Sequence, residues 1–185
     1  MKKLLLVILI SIHYSSNSQT YSSIINDEEI SNFLNWVTIH DKKYSEENNS
    51  QRKKISNKIL KWHSENFINN DEDPYENEIF LYHEKNDLDL IFNKDDQEFI
   101  YKQFVSIKDS IWHTRFSKSK LLSKKNKTNN YYAYSVPLFS IDKKKVIFYR
   151  VFHCGNECAY GEYYIYSKIN KNDWILIKSV NSWQS

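Results

Sequence analysis

Glycine is almost missing from this chain of 185 residues, which has two glycines, two prolines, two cysteines and one methionine. Gly155 and Gly161 stand six positions apart. That spacing rules out a G-x-G-x-x-G dinucleotide loop, a Walker phosphate loop and a G-x-S-x-G nucleophile elbow, each of which needs glycine at fixed offsets. Large charge of one sign is missing too. The formal net charge is +3, from 26 basic and 23 acidic residues, too small to mark a nucleic-acid binder. What the chain has is apolar and aromatic material: 41% hydrophobic, 16% aromatic and 26% charged residues. That supports a packed core and argues against wholesale disorder. At this length one domain is expected.

The first residues read as an export signal. Met1-Lys2-Lys3 is basic, Leu4 to Ile12 is apolar except for Ser11, and Ser15-Ser16-Asn17-Ser18 is small and polar. This is the layout of a secretory signal peptide, with Ser16 and Ser18 at −3 and −1 for cleavage before Gln19. The apolar run is too short for a stable bilayer anchor, which needs about 20 residues. Removing residues 1–18 takes away Lys2 and Lys3 and leaves 24 basic against 23 acidic residues. No second long apolar run follows. The mature chain, 19–185, is expected to be a soluble single α+β domain without a transmembrane anchor, in an oxidising compartment where disulfides persist.

Within it the expected order is N-terminal helices, about 26–110, then an antiparallel sheet of about four strands, about 131–185. Asn26-Asp27-Glu28-Glu29 offers a cap and early acids, and Ile30, Phe33, Leu34 and Val37 recur at helical spacing, predicting a helix over 27–40. Ser45-Glu46-Glu47 with Ile55, Ile59 and Trp62 suggests a second helix. Ile79 to His83 and Leu88 to Phe92 fit strands or the approach to a helix. Asn93-Lys94-Asp95-Asp96 caps a helix to about Ser110, with Ile100, Phe104, Ile107 and Ile111 on one face. Lys118 to Asn130 reads as a lysine- and asparagine-rich connector. Strands are expected at 135–140, 146–153, 162–169 and 174–180, with a tight hairpin at Asn170-Lys171-Asn172-Asp173. Both faces of the second strand are apolar: Val146, Phe148 and Phe152 on one, Ile147, Tyr149 and Val151 on the other. Helices are expected over one face; loops, aromatic stems or a partner chain would cover the other.

The stretch from Phe152 to Gly161 holds every cysteine and every glycine. A chain that avoids glycine elsewhere but places two here is building a special turn. A Cys154–Cys158 disulfide locking a hairpin is the leading reading. Two reduced thiols, or metal ligation by His153, Cys154 and Cys158, remain open. A closed zinc site, however, wants four ligands, and the C-x3-C spacing is not the C-x-x-C of thioredoxin-type redox proteins. No metal or cofactor is expected.

The pieces Val136-Pro137-Leu138-Phe139-Ser140, Cys154-Gly155 with Cys158 and Gly161, Tyr163-Tyr164-Ile165-Tyr166, Trp174 and Trp183-Gln184-Ser185 also form a pattern. It resembles the ending of an uncharacterised group of small exported bacterial proteins. Their pattern runs P-x-F-S, C-G-x-x-C-G-x-G, an aromatic strand, a Trp and a closing W-x-S. Phe92-Asn93-Lys94-Asp95 and Lys102-Gln103-Phe104 are similar as well, so the likeness spans roughly Leu90 to Ser185. Ala159 stands where that group has a glycine. The resemblance implies export and a common fold unit and implies no substrate, because the group carries no assigned activity.

Other candidates carry less chemistry. His40, His63, His83, His113 and His153 form no H-x-H, H-E-x-x-H or H-x3-H pair. His63-Ser64-Glu65 has the H-x-E of zinc deaminases without the P-C-x-x-C partner. Asp71, Glu72, Asp73, Glu76 and Glu78 lack the central glycine of a calcium loop and read as a solvated acidic loop. Lys118, Lys120, Lys124, Lys125 and Lys127, with Lys143 to Lys145, lie beside Tyr131, Tyr132 and Tyr134. Such a patch suits an anionic polymer, but nucleic acid is not expected in an export compartment. Tyr160, Tyr164 and Tyr166 fall on one strand face and would offer a platform to a glycan or a protein. The missing motifs favour a non-enzymatic exported binding or envelope-associated module. The alternative is a small exported hydrolase or redox protein whose histidines and acids are gathered by the fold.

Overall fold

The computed structural model describes residues 20–40, 53–63, 67–69, 77–79, 85–108, 110–123, 130–155 and 158–184. The export segment, the acidic residues 71–76 and Lys124, Lys125 and Lys127 lie outside them. The elements are α1 (Asp27–His40), β1 (Lys53–Ser56), β2 (Phe67–Asn69), β3 (Asn77–Ile79), α2 (Lys85–Ile91), α3 (Lys94–Val105), β4 (Ser119–Leu122), β5 (Tyr131–Tyr134), β6 (Leu138–Phe139), β7 (Lys145–His153), β8 (Ala159–Asn170) and β9 (Asp173–Gln184).

Both long helices begin where a side chain satisfies the first free amides. The Glu29 N–H donates to Asn26 Oδ1 at 2.8 Å, and the Asp96 N–H to Asn93 Oδ1 at 2.8 Å. Acids follow in each first turn and favour the positive helix end. The apolar stripe of α1, Ile30, Phe33, Leu34 and Val37, is buried, as its spacing predicts.

Among the described residues a seven-stranded sheet runs in the order β4-β1-β5-β7-β8-β9, with β6 beside β7. The C-terminal part is the expected antiparallel meander. β7 and β8 pair from Lys145↔Ser167 to His153↔Ala159, and β9 returns from the Asn170↔Asp173 turn. β5 and β6 share one side of β7, separated by Ser135, Val136 and Pro137. Proline has no N–H for the ladder. At the break Ser135 N–H donates to Tyr149 O, and Tyr149 N–H to Ser135 Oγ, both at 3.0 Å. β6 is only two residues long. The buried amide of Gln103 extends its pairing: Nε2 donates to Phe139 O at 2.6 Å, and Oε1 accepts from Phe139 N at 2.8 Å.

The fold is α+β as expected, with three corrections. The sheet has seven strands, not about four, and it is mixed, because β1 runs parallel to both β4 and β5. The expected second helix does not exist across Ile55: Lys53–Ser56 is β1, and Ile55 is fully buried in it. The N-terminal part is therefore not purely helical. The lysine-rich connector also contains a strand, β4, with Leu122 buried. β1 is carried by one buried apolar residue and β4 by two adjacent leucines, Leu121 packed on the core and Leu122 buried, so neither shows a period-2 signal.

Helices cover both sheet faces. On one face α1 packs Phe33 against Phe139, Phe148, Tyr166 and Trp174, with centroids 5.2–6.0 Å apart and rings near perpendicular. Edge-to-face aromatic pairs of this kind are favourable. On the other face Leu88, Phe92 and Ile100 of the α2–α3 region join Ile147, Tyr149, Ile165 and Val180 in a second core. Residue 88 to 92, left between strand and helix by its sequence, belongs mainly to α2.

Candidate functional site

The cysteine–glycine turn joins β7 to β8. Cys154 and Cys158 form a disulfide with Cα atoms 5.1 Å apart, which removes the free-thiol and metal-ligand readings of that pair. Cys154 N–H donates to Cys158 O at 2.9 Å. Gly155 has φ +141°, a region that side chains rarely adopt. Gly161 is not in the turn. It lies inside β8, between Val151 and Trp183 in the register. His153 stacks on Tyr131 with centroids 4.5 Å apart.

Tyr160, Tyr164 and Tyr166 do share the α1-side face of β8, across from Phe152, Phe148 and Val146. That face is covered. Tyr164 is 3% exposed and Tyr166 5%, so neither offers a platform; Tyr160 is half-buried.

Two polar constellations lie at opposite ends of this aromatic face. The first is sealed. Arg150 and Glu162 face each other in the β7–β8 register and are 2% and 8% exposed. Arg150 Nη2 donates to the Tyr164 hydroxyl, which donates to Glu162 Oε2. The guanidinium also lies 4.2 Å from the Tyr164 ring centroid and 5.7 Å from that of Tyr132. Burial raises the Tyr164 pKa; Arg150 opposes the shift and Glu162 adds to it. At the rim, Lys53 Nζ lies 5.7 Å over the Tyr132 ring, and burial lowers its pKa to about 8. Sequence reasoning missed this circuit. The signal was there: Arg150 sits between Phe148 and Phe152 at an inward strand position, where an arginine needs a partner.

The second constellation is open. α1 and the β8–β9 turn enclose a cleft of about 500 Å³, within the usual range for small-molecule sites. Its aromatic lining is Phe33, Trp36, His40 and Trp174. Trp174 is largely buried and Trp36 is half-buried. The His40 ring stacks on Trp36 at 4.8 Å, and its Nδ1 donates to Trp36 O at 3.0 Å. Trp36 Nε1 donates to Asp173 Oδ1 at 2.8 Å, and the same oxygen accepts from Trp174 N at 3.0 Å. One carboxylate thus ties the helix to the hairpin. Glu29 pairs with Lys168 at 3.2 Å and with Lys143 at 3.9 Å. Lys168 also lies 5.1 Å over the Trp174 ring. Asn26, Asn32 and Asn172 are exposed around the opening. The walls come from segments more than 120 residues apart, so no local motif signals the site.

Among the described residues no group of three or more His, Cys, Asp or Glu side chains is placed to hold a metal ion. No described helix is long and apolar enough to cross a membrane. No protein-family model, curated protein or solved structure matches the chain.

Proposed function

We propose that this protein is an exported, non-catalytic binding module of the cell envelope, and that the cleft between α1 and the β8–β9 turn is its binding site. The observation that carries the reading is an aromatic-lined opening whose two walls are tied together by the Trp36–Asp173 bond. Walls fixed in advance spare a ligand the cost of ordering them. Export is supported by the basic–apolar–small order of residues 1–18 and by a disulfide of the kind that persists in oxidising compartments. It also accords with the resemblance to small exported bacterial proteins. The catalytic alternative would have to work through Nε2 of His40, since Nδ1 bonds the Trp36 carbonyl.

The test uses the full chain expressed in a bacterium with a secretory pathway. The exported product should begin at Gln19 and contain no alkylatable thiol. With ¹⁵N-labelled tryptophan, the Trp36 and Trp174 indole signals should shift saturably as a water-soluble envelope extract is added. The extract should be recovered unchanged. A periplasmic product that starts at Met1, steady breakdown of the extract, or indole signals indifferent to it would each overturn the proposal.

A further inference from the structure

We propose that the cleft takes a neutral carbohydrate chain, an inference that rests on the binding role proposed above. Charge is the first argument. The cleft is lined by two carboxylates, Glu28 and Glu29, and by two ammonium groups, Lys168 and Lys171. Their formal charges cancel. The most enclosed of them, Glu29 and Lys168, already neutralise each other at 3.2 Å. An anionic polymer and a cationic peptide each meet as much repulsion as attraction here, so neither gains a net Coulombic pull. A lining of this kind steers no charged partner and suits a ligand bound by hydrogen bonds and contact.

Hydrogen-bond chemistry is the second argument. Asn26, Asn32 and Asn172 stand around the opening. A carboxamide carries an acceptor oxygen and two N–H donors, so it meets a hydroxyl in either role. Asn26 Oδ1 is used by the Glu29 N–H, which leaves its amide NH2 group for a ligand. Neighbouring hydroxyls on a sugar ring need such mixed partners, whereas a hydrocarbon chain would leave them stranded.

Shape and surface give the third. Phe33 and Trp174, 1% and 6% exposed, close the floor of the cleft, and its open aromatic surface is the stack of exposed His40 on half-buried Trp36 at its side. The C–H face of a pyranose packs on aromatic rings of this kind, while its hydroxyl edge stays with the polar rim; sites that combine apolar lining with a few placed polar groups follow this pattern. The opening is a cleft between a helix and a turn, suited to a chain that continues past it.

The experiment is designed so that the ligand class and the cleft itself fail separately. The secreted, oxidised full chain is titrated with the same envelope extract in three forms: untreated, passed through an anion exchanger, and oxidised with periodate and dialysed. Periodate cleaves the bond between carbons bearing adjacent hydroxyls, giving two carbonyls, and so opens the sugar rings that keep such a pair free. The Trp36 and Trp174 indole shifts should survive the anion exchanger and disappear after periodate. Binding should change by less than about twofold with added salt, because screening acts on charged ligands. Asn32→Ala and Asn172→Ala, both at exposed positions, should each weaken binding about threefold to tenfold, the loss of one neutral hydrogen bond. Shifts that persist after periodate overturn a ligand recognised through adjacent free hydroxyls, and shifts that vanish on the anion exchanger overturn its neutrality; either outcome leaves the cleft a binding site. Asparagine variants that bind as tightly as the parent overturn it as well. Indole signals that ignore the untreated extract overturn the binding role on which this inference rests.

Discussion

The two ends of the α1-side sheet face solve the same electrostatic problem in opposite ways. At one end Arg150, Tyr164 and Glu162 are shut away from water. At the other, Glu29, Lys143 and Lys168 keep side-chain exposures of 22%, 40% and 24%. Buried charges need each other, since removing one strands the other in a low dielectric. Half-exposed charges have water as an alternative partner, and their pairing contributes little. The sealed end is therefore expected to govern stability, and the open end to be free to serve a ligand.

The sharpest way to break this contrast is alkaline titration. Burial raises the pKa of Tyr134, aided by nearby Tyr132 and Tyr166. Burial likewise raises that of Tyr166, against Arg150 and with Glu162, and Tyr164 shifts the same way. A phenol whose folded pKa lies above its unfolded value contributes stability that is complete below the unfolded pKa, about 10, and is lost as pH climbs above it. Stability should be unaffected by these groups below about pH 10 and fall cooperatively beyond it. Tyrosine absorbance and circular dichroism should change together; gradual tyrosine ionisation in a still-folded chain would contradict the buried placement.

Next in size is Glu162→Ala, which leaves Arg150 buried without its carboxylate. The expected loss is about 3–5 kcal/mol by urea unfolding. The double variant Arg150→Met with Glu162→Leu should recover most of it, since an apolar pair of similar size often replaces a buried ion pair without loss. If the double variant is as unstable as the single one, the ring packing rather than the charge is what the site supplies.

Reducing the Cys154–Cys158 bond should cost about 2 kcal/mol, the loop-closure entropy of a ring this short, with the spectrum of the folded sheet retained. Complete unfolding on reduction would mean that the turn holds far more than its own ends. The smallest expected effect belongs to the open end. Glu29→Gln should change stability by less than about 1 kcal/mol, measured by thermal unfolding at low and high salt. A larger loss would show that the cleft wall is structural and erase the contrast.

Legibility in the sequence follows the range of the interactions. Local signals were readable: the caps at Asn26 and Asn93, the helical stripe of α1, the turn at Asn170–Asp173 and the disulfide across four positions. β1 was not, because Ile55 happens to fall at helical spacing from Ile59 and Trp62, and only its parallel neighbours β4 and β5 decide that it extends. The tyrosine face was assigned to the right side of the strand, but its exposure depended on where α1 docks, a tertiary fact. The cleft escaped for the same reason: Trp36 reads as one more apolar residue on a helix until Asp173 arrives opposite it.

The carboxamide of Gln103 acts as a surrogate stretch of main chain, giving and receiving at a single residue of β6. Glutamate there would set an oxygen against an oxygen, and leucine would leave both backbone groups of Phe139 unanswered. In any lineage descended from this chain, drift among the surrounding apolar residues would repack, whereas this position has few substitutes. An amide at the equivalent place in a diverged sequence would be a better marker of shared ancestry than the aromatic residues that dominate its composition.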